Sequence, residues 1–599
     1  MEQTVKISDY MIAWLESLGI KHVFTIPGGG CSHLIDSLGK SKSIEYVIPL
    51  HEQGGAIMAE AYAQYTGKPA AVIVTTGPGA TNVLTPIVAA WQESTPLIVI
   101  AGQVNTKDDY EGYFKPRQTG FQHVRNESIM SSVCVFSGKI KKPEDLYGIV
   151  TNANAHVTDL NTRRGPVFIE IPLDIQSAET SEPLPTNKNS EVYYKLPIIW
   201  KLENLLAKSK KPIILLGNGV RLGGAEQEFN EFIERFKIPV LTTWKAMDLM
   251  TEDHPLYVGR PGIIANRGAN INQQNADLVI CLGARLDHGQ TAYDMKNFAP
   301  KAKKFVIDID PHEIYKHDDF VIFYSLPLKD FFALSKGRSY QCNQKWLDHC
   351  KKVYNKYSDL APKFVNLKDP INLYALVDCL SLSMAALGDK AVLVPGSSGA
   401  CSEVVHQALK ISKGMRVINT HGLGSMGFGI SAAIGVALAS KKRVVAIEGD
   451  GGFFMNMQEL EVAARYKLPI AFIVLNNDGY GSIRTTQNAH FNGNIVGCDS
   501  NTGLTLPSLE KTAALFNMSY KKISCYFDEV AYEGLVTEFC RSIENCYYPM
   551  IIEVVVERDH KSLPKVAVTK NAEGKFEAAS MEYMNPPISE EEMQENRFE

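Results

Sequence analysis

Asp450 and Asn477 are the side chains of this 599-residue chain whose types and spacing speak most directly of chemistry. They sit in the segment GDGGFFMNMQELEVAARYKLPIAFIVLNN, residues 449–477. An apolar run, 444–447, precedes Gly449-Asp450-Gly451-Gly452, a helical stretch follows, and a second apolar run, 470–475, closes on Asn476-Asn477. This alternation predicts a strand, a helix and a parallel neighbouring strand. Parallel neighbours present their C-terminal ends side by side, so Asp450 and Asn477 can meet although 27 positions separate them. One carboxylate and one amide oxygen are too few for a calcium cage. They suit Mg²⁺, which demands octahedral oxygen and commonly completes its shell with phosphate oxygens and water, so a diphosphate is implied. Gly451 and Gly452 let the backbone approach an anion closely, and the helix opening near Phe453 turns its N–H groups and positive dipole end toward it. A lone GDG serves equally well as a bare strand-turn-helix corner; the asparagine pair at this distance adds the metal–phosphate reading.

The elements that position such a corner repeat along the chain in three α/β blocks. Strand candidates in the first are His22–Ile26, Tyr46–Pro49, Ala71–Thr75, Leu97–Ala101 and Val167–Ile171. Those in the second are Ile213–Leu216, Val240–Thr243, Leu278–Leu282 and Phe305–Asp308. The third adds Ala391–Pro395 and Arg416–Asn419 to the two runs above. Helical segments between most strands predict an α/β fold of three doubly wound parallel-sheet domains, 1–180, 190–345 and 370–560. A polar, Pro-containing linker, Gln176–Asn189, follows the first, and a tail, 561–599, ending SEEEMQENRFE, reads as a solvated extension or a segment folded over a site. GNGVRLGG at Gly217 has the look of a dinucleotide loop without the GxGxxG spacing.

Composition narrows the class. A net charge of -5 gives no basic stripe for nucleic acid. No apolar run approaches the roughly 20 residues of a membrane span, and MEQTVKISDY has no signal-peptide core, so a cytoplasmic protein is expected. Eleven scattered cysteines without a CxxC pair suit reduced thiols, and Cys31 is expected to be a small packing residue. The histidines show no HExxH, and no zinc is expected.

GDG followed after this interval by NN resembles the diphosphate and Mg²⁺ fingerprint of thiamine diphosphate enzymes. The resemblance extends over residues 1 to about 560, to the acetolactate synthase branch, through PGGG at Pro27, LHEQGGAIMAEAYA at Leu50, TTGPGATN at Thr75 and GLGSMGFGISAAIGVALA at Gly422. It implies three domains: pyrimidine-binding, central and diphosphate-binding. It implies that Glu52 acts on the aminopyrimidine ring, that the Gly424 carbonyl receives the exocyclic amine, and that Met426 wedges between the two coenzyme rings. A carboxyl kept protonated in an apolar setting suits that role for Glu52, and thioether adaptability suits Met426. The metal shell implied is Asp450, Asn477 and the Gly479 carbonyl, with Gly451 and Gly452 at the diphosphate. Glu52 and the diphosphate site come from different subunits in that family, so a homodimer is the minimum unit and a tetramer the larger form. The chemistry implied is decarboxylation of a 2-oxo acid donor followed by carboligation, with Gln122 among the catalytic residues and Gly29 and Phe121 on the substrate side.

Departures from that branch lie where an acceptor would bind. Its second middle-domain arginine, which holds the incoming 2-oxo acid, is replaced in GARLDHGQTAY by Gly289 after Arg285. Thr486 stands where a tryptophan tunes acceptor choice, and no TK dipeptide follows Phe121-Gln122. GGGCSHLIDSLGK, GRPGIIANRGANINQQNADLVICLGARLD and NNDGYGSIRTTQNAHF are more similar to a side branch associated with surface polysaccharides and nucleotide sugars. That branch implies a small carbonyl or sugar acceptor, for which Arg484 offers a cation if it is not merely a surface arginine. Alternatives are an acetolactate synthase catalytic subunit, a simple 2-oxo acid decarboxylase and a non-catalytic binding protein. Because His288 and Gly289 alter the stretch that runs along the flavin in acetolactate synthases, FAD is expected to be weak or absent.

Overall fold

The computed structural model describes residues 4–109, 116–187, 197–313, 321–360, 370–397, 399–524, 531–570 and 576–598. Positions 188 and 189 of the expected linker and 571–575 and 599 of the tail lie outside them.

Three parallel sheets carry the fold. The first orders its strands Glu45–Val47, His22–Thr25, Ala70–Val74, Leu97–Gln103, Val167–Pro172 and Phe136–Lys139. The third orders Arg416–Val417, Ala391–Pro395, Arg443–Gly449, Ile470–Asn476, Met550–Val555 and Ser519–Ile523, so the two sheets share one connectivity. The central sheet runs Val240–Thr242, Pro212–Leu216, Leu278–Leu282, Lys303–Asp308 and Val321–Ser325. Inner strands such as Ala70–Val74 and Leu278–Leu282 are apolar and buried along their whole length, because helices cover both faces of a parallel sheet. Four strands are not among the sequence candidates: Phe136–Lys139, Val321–Ser325, Ser519–Ile523 and Met550–Val555, the last an apolar run, MIIEVV, that the sequence did offer. Three of them are sheet edges, where half-exposed residues such as FSGK break the apolar run.

The first and third sheets are joined through two small-residue helices. Glu52–Thr66 packs against Phe428–Ser440 so closely that a Cβ at Gly435 would stand 2.0 Å from the Met58 carbonyl oxygen. The HEQGGA and GISAAIG motifs are thus partly a packing requirement. The expected linker is ordered in part: Leu173–Ser177 is helical, and Glu179–Thr180 pairs antiparallel with Val5–Lys6.

The tail is not a solvated extension. Residues 562–564 still bond to the third domain, and from Lys565 on its described residues dock on the central domain, where Met581 and Met584 are buried and Phe598 packs edge-on against Trp346. They cover the helix Arg267–Asn275, RGANINQQN, whose buried side chains find partners in the tail: Asn270 donates to the Met581 carbonyl at 3.0 Å, and Gln274 to Ser580 Oγ at 2.9 Å. Burying a helix this polar is costly unless its amides find partners; their N–H groups do, while Asn272 Oδ1 and Gln273 Oε1 are buried without one. Among the described residues no helix is long and apolar enough to cross a membrane.

Candidate active site

Strands Arg443–Gly449 and Ile470–Asn476 run in register with Gly449 opposite Leu475, so Asp450 and Asn477 leave adjacent strand ends. The Asn477 side-chain oxygen lies 2.8 Å from the Gly479 carbonyl oxygen and 3.3 Å from Asp450 Oδ1. Three oxygens gathered this closely repel one another unless the amide is turned over, which makes two hydrogen bonds, or a cation sits among them. The donor set of carboxylate, amide and carbonyl oxygen is that of a hard divalent ion, and it fits Mg²⁺. Asp450 is already anchored for that task, accepting from the N–H of Gly451 at 2.7 Å and of Gly479 at 3.0 Å. Burial pushes its carboxyl up to about 6, and a bound cation would reverse that. Gly479 has φ 104°, and a Cβ there would stand 2.2 Å from the Cys498 carbonyl oxygen, so only glycine holds the turn that sets its carbonyl beside the Asn477 amide and its N–H on Asp450.

Around the corner, Gly451 faces the Tyr480 ring and the Met426 methyl group: a Cβ at 451 would lie 2.4 Å and 3.7 Å from them. The loop that carries Gly424 and Met426 is pinned at both ends. Ser397 Oγ donates to the Ser425 carbonyl, and Asn456 donates to the Gly427 carbonyl at 2.9 Å. Beneath Gly452, Glu448 is buried and accepts from the Gly429 N–H at 2.9 Å.

Glu52 opens the helix Glu52–Thr66 and accepts from Asn82 Nδ2 at 2.9 Å. Its neighbours Asn82 and Gly79 belong to its own domain, and among the described residues no hydrogen bond joins it to Asp450 within the chain. The turn before it is held from the third domain: Glu459 accepts from the N–H of Leu50 at 3.1 Å and of His51 at 2.9 Å. Burial pushes the Glu459 carboxyl up to about 7. Sequence reasoning did not single out Glu459, which in FFMNMQELEVAA is one of four polar residues with Asn456, Gln458 and Glu461.

Residues 5–127, 199–326 and 397–533 match the thiamine pyrophosphate enzyme N-terminal TPP binding domain, central domain and C-terminal TPP binding domain. The chain is 31% identical over 503 residues to a probable acetolactate synthase large subunit of Methanocaldococcus jannaschii, covering 81% of this chain and 83% of the relative. It is 32% identical over 487 residues to the acetolactate synthase isozyme 2 large subunit of Escherichia coli, covering 81% and 85%. The large subunit of Lactococcus lactis subsp. lactis is 28% identical over 574 residues, 94% of this chain and 95% of that one. The chain belongs to the thiamine diphosphate enzymes.

Within this acetolactate-synthase-like family member, the remaining candidates fall in three places. Gly29, Phe121 and Gln122 lie at one end of the first sheet. Phe121 is 87% exposed, Gln122 is exposed with φ 60°, and the Gln122 carbonyl packs on Gly77. Cys31 beside them is fully buried and its thiol is pushed up by burial, as a packing residue should be.

Arg484 is neither a surface arginine nor free for an anionic acceptor, and the sequence expectation for it is corrected here. It is 2% exposed and donates to the carbonyls of Asn477 at 3.0 Å, Asp478 at 3.1 Å and Arg558, and to Asp559 at 2.8 Å. Its guanidinium clamps the metal-side loop from behind, which the sequence could not reveal because residues 558 and 559 lie on the far side of another strand.

The third place is a cavity of about 390 Å³ where the three domains meet. Asn218-Gly219 and Gly283-Ala284 form one wall, at the crevice where the central sheet reverses strand order. Every arginine and lysine among its described lining residues is engaged. Arg163 pairs with Asp310 at 2.7 Å, and Arg164 donates to the carbonyls of Gly67 and Leu222. Lys245 lies between Glu93 and Gln64, and Arg285 donates to the Gln92 carbonyl.

Proposed function

We propose that this enzyme binds thiamine diphosphate with Mg²⁺ held by Asp450, Asn477 and the Gly479 carbonyl, and joins a unit from a 2-oxo acid to an acceptor that is not a second 2-oxo acid. The observation that carries the acceptor choice is the cavity's charge. Gly289 offers no cation, and Arg285, the nearest one, is committed to the Gln92 carbonyl and lies 3.7 Å from Asp287. A carboxylate acceptor would meet no free positive group there. Bound coenzyme supplies the electron sink for loss of CO₂. Glu52 holds the proton at the pyrimidine nitrogen, Met426 and Gly451 shape the coenzyme's bend, and Arg484 keeps the Asn477 loop in place. Glu52 turns toward its own sheet, which supports a homodimer in which each chain's Glu52 serves its partner's diphosphate corner; a tetramer extends the same contact. Gln122, Gly29 and Phe121, exposed beside Glu52, then face the substrate.

A small carbonyl or sugar acceptor follows, and the similarity of three segments to the surface-polysaccharide branch supports surface-sugar assembly as the setting. FAD is expected to be substoichiometric or absent, because a flavin dinucleotide's diphosphate would also find each cavity cation already paired. One FAD per chain, with activity lost when it is stripped, would overturn that point. A second reading, an acetolactate synthase, is favoured by the names of the relatives. CO₂ release from a panel of 2-oxo acids separates the two: release that rises with an added aldehyde or keto-sugar supports the first, and sustained acetolactate from pyruvate alone supports the second.

A further inference from the structure

At the end of the cavity nearest the coenzyme loop, Gly289 of the central domain carries no side chain and the imidazole of His421 stands opposite. A Cβ at Gly289 would lie 3.6 Å from His421 Nε2 and 3.2 Å from Asp287 Oδ1, so any side chain at 289 would press on this edge of the ring, and glycine leaves the edge uncovered in the cavity that both residues line. His421 lines the cavity, and among the described residues neither ring nitrogen has a hydrogen-bond partner. Its orientation is nevertheless fixed. The ring packs edge-on against Trp244, with centroids 4.6 Å apart, and Trp244 stacks on His406 at 5.0 Å. His406 is locked in turn by the Ser402 carbonyl at 2.6 Å from Nδ1 and by Asn419 Nδ2 at 2.9 Å from Nε2. The Trp244 indole N–H is buried without a partner.

A rigid imidazole kept neutral by burial offers one N–H donor and one lone pair. A hydroxyl, which both donates and accepts, or a carbonyl oxygen matches that pair. A carboxylate does not, and the cavity has no free cation to hold one. The position suits an acceptor: Ser397, on the same cavity wall, bonds the Ser425 carbonyl, and His421 directly precedes the loop Gly422–Gly427. We propose that His421 is the acceptor-binding residue, hydrogen-bonding a hydroxyl of a neutral, hydroxylated carbonyl compound in the cavity that His421 and Gly289 line. This rests on the carboligase reading above and names its acceptor class.

The test uses the full-length enzyme loaded with Mg²⁺ and thiamine diphosphate, pyruvate as donor, and dihydroxyacetone and glyceraldehyde as acceptor probes. Calorimetric titration of each probe is run separately without pyruvate. His421→Phe keeps an aromatic ring against Trp244 and removes both nitrogens. It is expected to raise the KM for the probes about tenfold, the worth of one such hydrogen bond, while the KM for pyruvate moves less than twofold. His421→Asn, which keeps a donor and an acceptor, recovers part of the loss and serves if the Phe variant does not fold. Gly289→Arg sets a long side chain against the His421 ring edge and should abolish probe binding. If the wild type joins pyruvate to a probe and His421→Phe does so with unchanged KM, the role of His421 is refuted while the carboligase reading stands. If the wild type makes only acetolactate and binds neither probe, that reading fails and the inference falls with it.

Discussion

The diphosphate corner and the cavity mouth are built in opposite ways. At the corner, Asp450, Asn477 and Gly479 belong to one strand-helix-strand unit, and the register of two neighbouring strands is enough to bring them together. At the mouth, Trp244 and Gly289 come from the central domain and His421 from the third, and only the docking of whole domains makes them neighbours. The first arrangement tolerates little change, since each atom has one route to its place. The second can be altered one residue at a time, which is where acceptor choice would be expected to vary between enzymes that share the same coenzyme chemistry.

The sharpest way to break this contrast is at the corner itself. Asp450→Ala removes the anionic ligand, leaving the amide and carbonyl oxygens to face the cation alone. It is expected to abolish coenzyme retention and activity together, measured by calorimetric titration of thiamine diphosphate with Mg²⁺ present. Retention equal to wild type would show that Asp450 is not a ligand. Glu52→Gln leaves the corner intact and is expected to keep the coenzyme while losing roughly 10²- to 10⁴-fold in activity, the usual worth of a positioned acid or base. Exchange of the coenzyme's reactive proton, followed by NMR, checks it; an unchanged exchange rate refutes the role.

How much of each region could be read from the sequence follows from the same contrast. The corner and the three parallel sheets were legible because long apolar runs and the glycine and asparagine residues at their ends are local signals. Arg484 was misread because the carbonyl and carboxylate of Arg558 and Asp559 that occupy it lie some seventy residues on, beyond the strand Met550–Val555. Glu459 was passed over because its partners, the backbone N–H groups of Leu50 and His51, belong to another domain. The helix RGANINQQN reads as a surface helix by composition and is buried only because the tail supplies its hydrogen-bond partners. In each case the missing information was a long-range contact between polar groups, which leaves no periodicity behind.

Arg484→Met probes whether the corner is as self-contained as its motif suggests. The variant keeps most of the side-chain volume and frees the Asn477 and Asp478 carbonyls. Since outer-shell partners of metal ligands typically contribute 10- to 100-fold in affinity, the Mg²⁺ concentration giving half-maximal activity is expected to rise by about that factor, with activity restored at saturating Mg²⁺. No change in the Mg²⁺ requirement would mean that the strand register alone holds the loop.

The smallest effect on the chemistry is expected from the region farthest from the corner. Met581 is fully buried, belongs to the core of the central domain and receives a contact from Gln273 Nε2 at 3.2 Å from its sulfur. Met581→Ala should therefore destabilise the protein by about 2–5 kcal/mol, the range for truncating a large buried side chain. The loss is expected in the central domain first, read as a lower-temperature transition in calorimetry. Because the tail strand also backs the cavity wall, with the Val566 N–H donating to the Ile263 carbonyl at 2.8 Å, acceptor KM should rise before coenzyme affinity changes. Among the described residues the corner takes no hydrogen bond from the tail beyond residue 564, so thiamine diphosphate affinity should stay within twofold of wild type. A parallel loss of coenzyme affinity would mean that the two regions are coupled through the domain junction, and that the independence argued for the corner does not hold.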